Sequence, residues 1–150
     1  MKREKSCGTV LFNVKDGTVY YLLICSPCGN IVGFPKGHME KGESERDTAL
    51  RETLEETCIE ATIRGKFRYD ISYPLKNGAR KTVVYFTASY EGQTPHSDPR
   101  YEQYNFVSLP FDEAYEALTY ENTKRVLAEA DRYIRGKIIN KTPTAPLSGF

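Results

Sequence analysis

Apolar and polar positions follow two periods along this chain. Cys7 to Phe12 and Thr18 to Cys25 are β-rich apolar runs, and Asp16-Gly17 between them suits a hairpin turn. Gly29 to Gly33 is a short connector with room for a strand at Ile31-Val32, and Ile59 to Ile63 predicts another brief strand. From Lys66 to Pro74 the chain alternates, with Phe67, Tyr69, Ile71 and Tyr73 on one side and Arg68, Asp70 and Ser72 on the other. Lys76-Asn77-Gly78 turns it into a second long strand, Arg80 to Tyr90, which completes a second hairpin. Glu91 to Arg100 carries two prolines and no period, so it predicts a loop, and Tyr104 to Leu109 predicts a short strand. Pro110 to Leu118 reads as a short helix with Pro near its start. Thr119 to Ile134 reads as an amphipathic helix whose buried stripe is Val126, Leu127, Ala130, Tyr133 and Ile134. No repeat is visible. One domain is expected over residues 1–136, with a flexible tail over 137–150.

The middle of the chain, Gly33 to Ile59 (GFPKGHMEKGESERDTALRETLEETCI), departs from both strand patterns. Gly33, Gly37, Gly42 and Pro35 predict a loop as far as Glu45. Arg46 to Thr57 has helix formers and neither Gly nor Pro, and Ser44 followed by Asp47 resembles a capping box. Ala49, Leu50 and Leu54 give this helix a narrow apolar seam. Strands on both sides of one central helix, with a helix at the C-terminal end, predict an α+β fold, an αβα sandwich around a mixed sheet.

Composition narrows the function classes. Apolar content of 39% with 12% aromatics is ordinary for a globular protein. Lys and Arg total 21 against 20 Asp and Glu, a net charge of +1, which gives no reason to expect nucleic acid or a membrane as partner. No apolar run is long enough to span a membrane, and the start MKREKSCGTV lacks the core of a signal peptide, so a cytoplasmic location is expected. Cys25-Ser26-Pro27-Cys28 has a CxxC spacing, but there is no second such pair and His38 and His96 lie elsewhere. Cys28 therefore reads as a loop thiol.

The candidate chemistry lies on the central helix. Glu52, Glu55 and Glu56 are three and four apart, so their carboxylates share a face and repel one another. A solvated acidic face and a divalent cation site both accommodate that spacing, and Mg²⁺ would take such hard oxygen ligands. Arg51 can hydrogen-bond a loop carboxylate such as Glu43 and fix the loop to the helix.

Gly37, five residues, Glu43, seven residues, Arg51-Glu52, then Glu55-Glu56 resembles the signature box of the Nudix hydrolases. Two positions depart from it: Thr53 stands where an aliphatic residue is usual, with softened packing as its expected effect, and Cys58 stands where Gly is usual. Gly there suits a left-handed helix end, which Cys adopts at a cost. The resemblance implies a Nudix-type αβα sandwich and metal-assisted hydrolysis of a diphosphate linkage. Gly37, Glu52, Glu55 and Glu56 would hold Mg²⁺, with Mn²⁺ as a possible substitute, and Glu43, Arg51, Glu52, Glu55 and Glu56 would form the catalytic group. Glu55 or Glu56 is the first choice for the base. Where some members place a Glu in the late loop, this chain has Arg100, with Asp98 and Glu102 nearby.

Gly33-Phe34-Pro35-Lys36-Gly37-His38, together with Tyr73, Lys81 and Tyr85-Phe86, is similar to segments of the dinucleoside polyphosphate hydrolases, most of all the asymmetric diadenosine tetraphosphate type. That subgroup implies a small nucleotide substrate cleaved to ATP and AMP. Lys36, His38 and Lys81 would meet the phosphates, and Tyr73, Tyr85 and Tyr120 would stack on adenine. A diphosphoinositol polyphosphate or an RNA 5′ end is the alternative substrate, and a silent nucleotide sensor the alternative class. The sensor reading expects a lost box Glu, and all four are present. The sequence leaves the oligomeric state open.

Overall fold

The computed structural model describes residues 3–139. Its strands are β1 (Arg3–Lys15), β2 (Thr18–Cys25), β3 (Val32–Gly33), β4 (Lys36–His38), β5 (Thr62–Pro74), β6 (Arg80–Ser89) and β7 (Asn105–Pro110). Its helices are α1 (Glu45–Thr57), α2 (Phe111–Ala117) and α3 (Glu121–Tyr133), the last continued by a π-helical turn, Ile134–Ile139. All seven strands form one sheet, ordered β3-β2-β1-β6-β5, with β4 paired to β1 and β7 to β2. β1 and β6 run parallel and the other pairs antiparallel, so the sheet is mixed.

The two-residue strand period sorts side chains to two faces. Val10 and Phe12 on β1, Val83 and Tyr85 on β6, and Tyr21 and Leu23 on β2 pack with Val126, Leu127, Ala130 and Ile134 of the C-terminal helices. Cys7, Val84 and Phe86 point the other way, onto Ala49 of α1. One helix layer therefore covers each face of the sheet. The Tyr21 hydroxyl donates to Asp131 Oδ1 at 2.5 Å and ties α3 down.

Several details differ from the sequence-based expectation. β1 begins at Arg3, because β6 offers a parallel partner along its whole length. Of the strand expected at Ile59–Ile63 only Thr62 and Ile63 are strand, and they run on into the expected Lys66–Pro74 as one strand, β5, with an irregularity between Ile63 and Arg68. Gly65 sits in that bulge at φ +78°, and a Cβ there would lie 2.4 Å from the Tyr133 hydroxyl, which accepts from the Lys66 amide. The loop before α1 contains β4, whose backbone is drawn into the sheet by Ser6, Cys7 and Gly8. The helical chain runs on to Ile139, past the expected boundary at 136, and Ile138 and Ile139 pack on the core. The rest of the expected tail, 140–150, lies outside the described residues.

The buried face of α1 is Thr48, Ala49, Thr53 and Thr57, and Leu54 of the expected seam is 45% exposed. Small side chains let this helix approach β1 closely. Thr53 does more than soften packing: its hydroxyl meets that of Thr9 at 2.7 Å in the fully buried interface. Ser44 and Asp47 form a complete capping box at the N-terminus. Cys58 ends the helix at φ 60°, ψ 20°, the left-handed conformation expected of this position.

Candidate active site

Arg51 organises the junction of loop and helix. Its Nε donates to Glu43 Oε2 at 2.5 Å and its Nη2 to Glu43 Oε1 at 3.0 Å. Nη2 also reaches the His38 carbonyl at 2.9 Å, while Nη1 donates to Glu52 Oε2 at 2.9 Å and Glu55 Oε2 at 3.1 Å. The Arg51 guanidinium, the Glu40 amide and the Thr48 hydroxyl hold the Glu43 carboxyl down at about 2. Glu43 and Arg51 thus brace the carboxylate face, and neither lines the pocket described below.

Gly37 is required by sterics. It lies on the α1 side of β4, and a Cβ there would stand 2.0 Å from Glu52 Cδ and 2.1 Å from its Oε1. Glu56, one turn further along α1 and close to Glu52, accepts the Lys36 amide on its Oε1 at 3.2 Å. Burial, then the neighbouring Glu52 charge, pushes the Glu56 carboxyl up to about 8.

The three carboxylates do not form a ready-made cage. Among the described residues, no three carboxylate, imidazole or thiol groups converge on one point, and Arg51 draws one oxygen each from Glu52 and Glu55. Their Oε1 atoms are not claimed by Arg51. Every donor is a hard oxygen, and Glu52 and Glu56 are close enough to repel, so a divalent cation suits this group.

Glu56 and Lys36 open into a pocket of about 820 Å³ between the sheet and the start of α3. Its walls include Phe34, Ile71, Tyr73, Val83 and Tyr104, and its rim includes Ile31 and Tyr120, which are 43% and 52% exposed. Paired bonds set that rim: the Val32 amide donates to Thr119 Oγ1 at 2.8 Å, and the Thr119 amide to the Val32 carbonyl at 3.2 Å. Tyr73 and Tyr120 both line this pocket.

Tyr85 does not join them. It is 1% exposed and packs edge-on against Phe34, with centroids 5.6 Å apart, so it walls the pocket as a core residue with no free ring face. His38 and Lys81 stand outside the lining. His38 turns to Glu4, with Nε2 3.4 Å from Oε1, and Lys81 lies beside Lys36. Burial, then the Lys36 charge, pulls the Lys81 ammonium below its usual range.

Of the two late-loop carboxylates, Asp98 is bound by the Arg100 side chain and amide, which hold it at about 2. Glu102 lines the pocket and accepts from the Tyr104 hydroxyl at 3.1 Å. Cys25 and Cys28 are free thiols, and exposed Cys28 contacts Ser26 and Asn30 as a loop residue. Sequence reasoning missed Glu4, Phe34 as a pocket wall and Tyr104. Phe34 stood inside the quoted motif, whereas only strand pairing reveals Glu4.

No helix among the described residues is long and apolar enough to cross a membrane. The family model for the NUDIX domain matches residues 2–130. The asymmetrical bis(5′-nucleosyl)-tetraphosphatase of Rattus norvegicus is 31% identical over 140 residues, which is 87% of this chain and 95% of that protein. An RNA pyrophosphohydrolase of Sulfurovum is 29% identical over 124 residues, covering 71% and 75%. The crystal structure of a C. elegans Ap4A hydrolase binary complex superimposes with a TM-score of 0.79 at 26% identity, covering 89% of this chain and 98% of that one.

Proposed function

The chain belongs to the Nudix family, and from that premise we propose that it cleaves dinucleoside polyphosphates, diadenosine tetraphosphate to ATP and AMP among them. The observation that carries this reading is one pocket lined by Tyr73, Tyr120, Lys36 and Glu56 together. Aromatic rings there suit a purine, while a lysine and a carboxylate group at the base suit a phosphate chain with its counter-cation. The asymmetrical tetraphosphatases named above support the same substrate class.

Nudix hydrolases generally use a divalent metal such as Mg²⁺. Glu52, Glu55 and Glu56, with the Gly37 carbonyl, would hold it, and when bound it would neutralise phosphate charge and acidify a water. The residues of the chain supply the rest. Arg51, fastened by Glu43, fixes one oxygen each of Glu52 and Glu55 and leaves their Oε1 atoms for the cation. Lys36 neutralises the phosphate nearest Glu56. The water's proton goes to a nearby carboxylate, with Glu55 and Glu56 the first choices and Glu102 the loop candidate, since Asp98 is committed to Arg100.

The test is hydrolysis of diadenosine tetraphosphate with and without Mg²⁺, the products resolved by chromatography. ATP plus AMP formed only with metal supports the reading, and two ADP would overturn asymmetric cleavage. Turnover confined to 5′-triphosphorylated RNA would favour the other substrate class, which the Sulfurovum relative represents.

A further inference from the structure

A carboxylate stands among the side chains expected to meet phosphate. Alternation along β1 puts Glu4, Ser6 and Gly8 on the face of Val10 and Phe12, which is the pocket side of the sheet. Strand pairing then sets Glu4 beside Lys81 on β6, Ser6 beside His38 on β4, and Gly8 beside Lys36. Glu4 Oε1 lies 3.4 Å from His38 Nε2, and the Glu4 side chain is only 27% exposed, so water screens it incompletely. The Ser6 hydroxyl, buried and without a hydrogen-bond partner among the described residues, does not shield it. Lys81 and Tyr73 both feel its charge.

We propose that Glu4 is a specificity-determining residue that restricts the length of the phosphate chain the pocket accepts. The inference rests on the reading of the site as a polyphosphate site. Lys36 and Lys81 form a cationic pair, with His38 nearby, from which Glu4 subtracts one charge. The penalty for a bound anion grows with that anion's charge, so each added phosphate meets more repulsion. Glu4 also occupies His38, which a long chain must take from it. Short chains that stay near Lys36 and Glu56 escape both effects.

The test is calorimetric titration of the full-length protein, wild type, E4Q and E4D, with pyrophosphate, tripolyphosphate and tetrapolyphosphate in EDTA buffer. E4Q is expected to bind pyrophosphate within about twofold of wild type, tripolyphosphate about threefold tighter and tetrapolyphosphate about fivefold tighter. E4D, which keeps the charge, is expected to follow wild type. An equal gain on all three anions, no gain, or an E4D protein that behaves like E4Q overturns the proposal. A graded gain in a protein that hydrolyses no dinucleoside polyphosphate sinks the substrate reading and leaves this inference standing. Hydrolysis together with ungraded E4Q binding does the reverse.

Discussion

Arg51 grips Glu43 with two parallel hydrogen bonds, Nε to Oε2 at 2.5 Å and Nη2 to Oε1 at 3.0 Å, and so fastens a loop to a helix eight residues away. The remaining donor, Nη1, holds Glu52 and Glu55. Lysine offers one point charge and cannot make the fork. R51K is therefore expected to lower kcat/KM about 100-fold, the scale of an ångström-level misplacement of catalytic groups. Circular dichroism should show the fold retained with a lower Tm. Activity within a factor of a few of wild type would show that the brace is dispensable.

Glu56 links catalysis to pH. Its folded pKa of about 8 lies above the ordinary glutamate value of 4.5, so folding favours the protonated acid. The stability this gives is complete below about 4.5 and is lost as pH rises through about 8. In EDTA, E56Q should lack that loss and be more stable than wild type at pH 9 by on the order of 5 kcal/mol. Its turnover should nevertheless be almost abolished. Urea melts across pH 5 to 9 and an assay in Mg²⁺ check the two halves, and an unchanged rate would remove Glu56 from the site.

The hydroxyls of Thr9 and Thr53 are each other's partners at 2.7 Å, with both residues fully buried. T53V leaves the Thr9 hydroxyl unpaired and is expected to cost about 1–2 kcal/mol. The double variant T9V/T53V removes both polar groups and should recover most of that loss. A double-mutant cycle by urea denaturation measures the coupling, and a zero interaction energy would contradict the buried bond.

Cys58 holds a left-handed conformation, φ 60°, that glycine adopts without a Cβ penalty. C58G is expected to raise stability by about 0.5–1 kcal/mol, the strain relieved outweighing the added freedom of the unfolded chain. Thermal unfolding would show it, and a lower Tm would mean that the half-buried side chain contributes more than the strain costs.

Local pattern alone determined much of this protein. The hairpin β1-β2, the alternation of β5, the helix α1 with its Ser44 cap and left-handed end, and the Arg51–Glu43 contact follow from residues close in sequence. Their physics is local: strand and helix periods, capping, and the reach of one helix side chain back to the loop just before it. Tertiary structure decided which face each group serves. Glu52, Glu55 and Glu56 share a helix face by spacing, yet Arg51 draws the first two aside and only Glu56 enters the pocket. Tyr73 and Tyr85 lie on neighbouring strands, yet the C-terminal helices and Phe34 bury one and leave the other half open. Glu4 stands beside Lys81 and near His38 only because β1 pairs with β6 on one edge and β4 on the other. Pairing between distant strands, and the desolvation that follows, depend on contacts that sequence spacing does not encode.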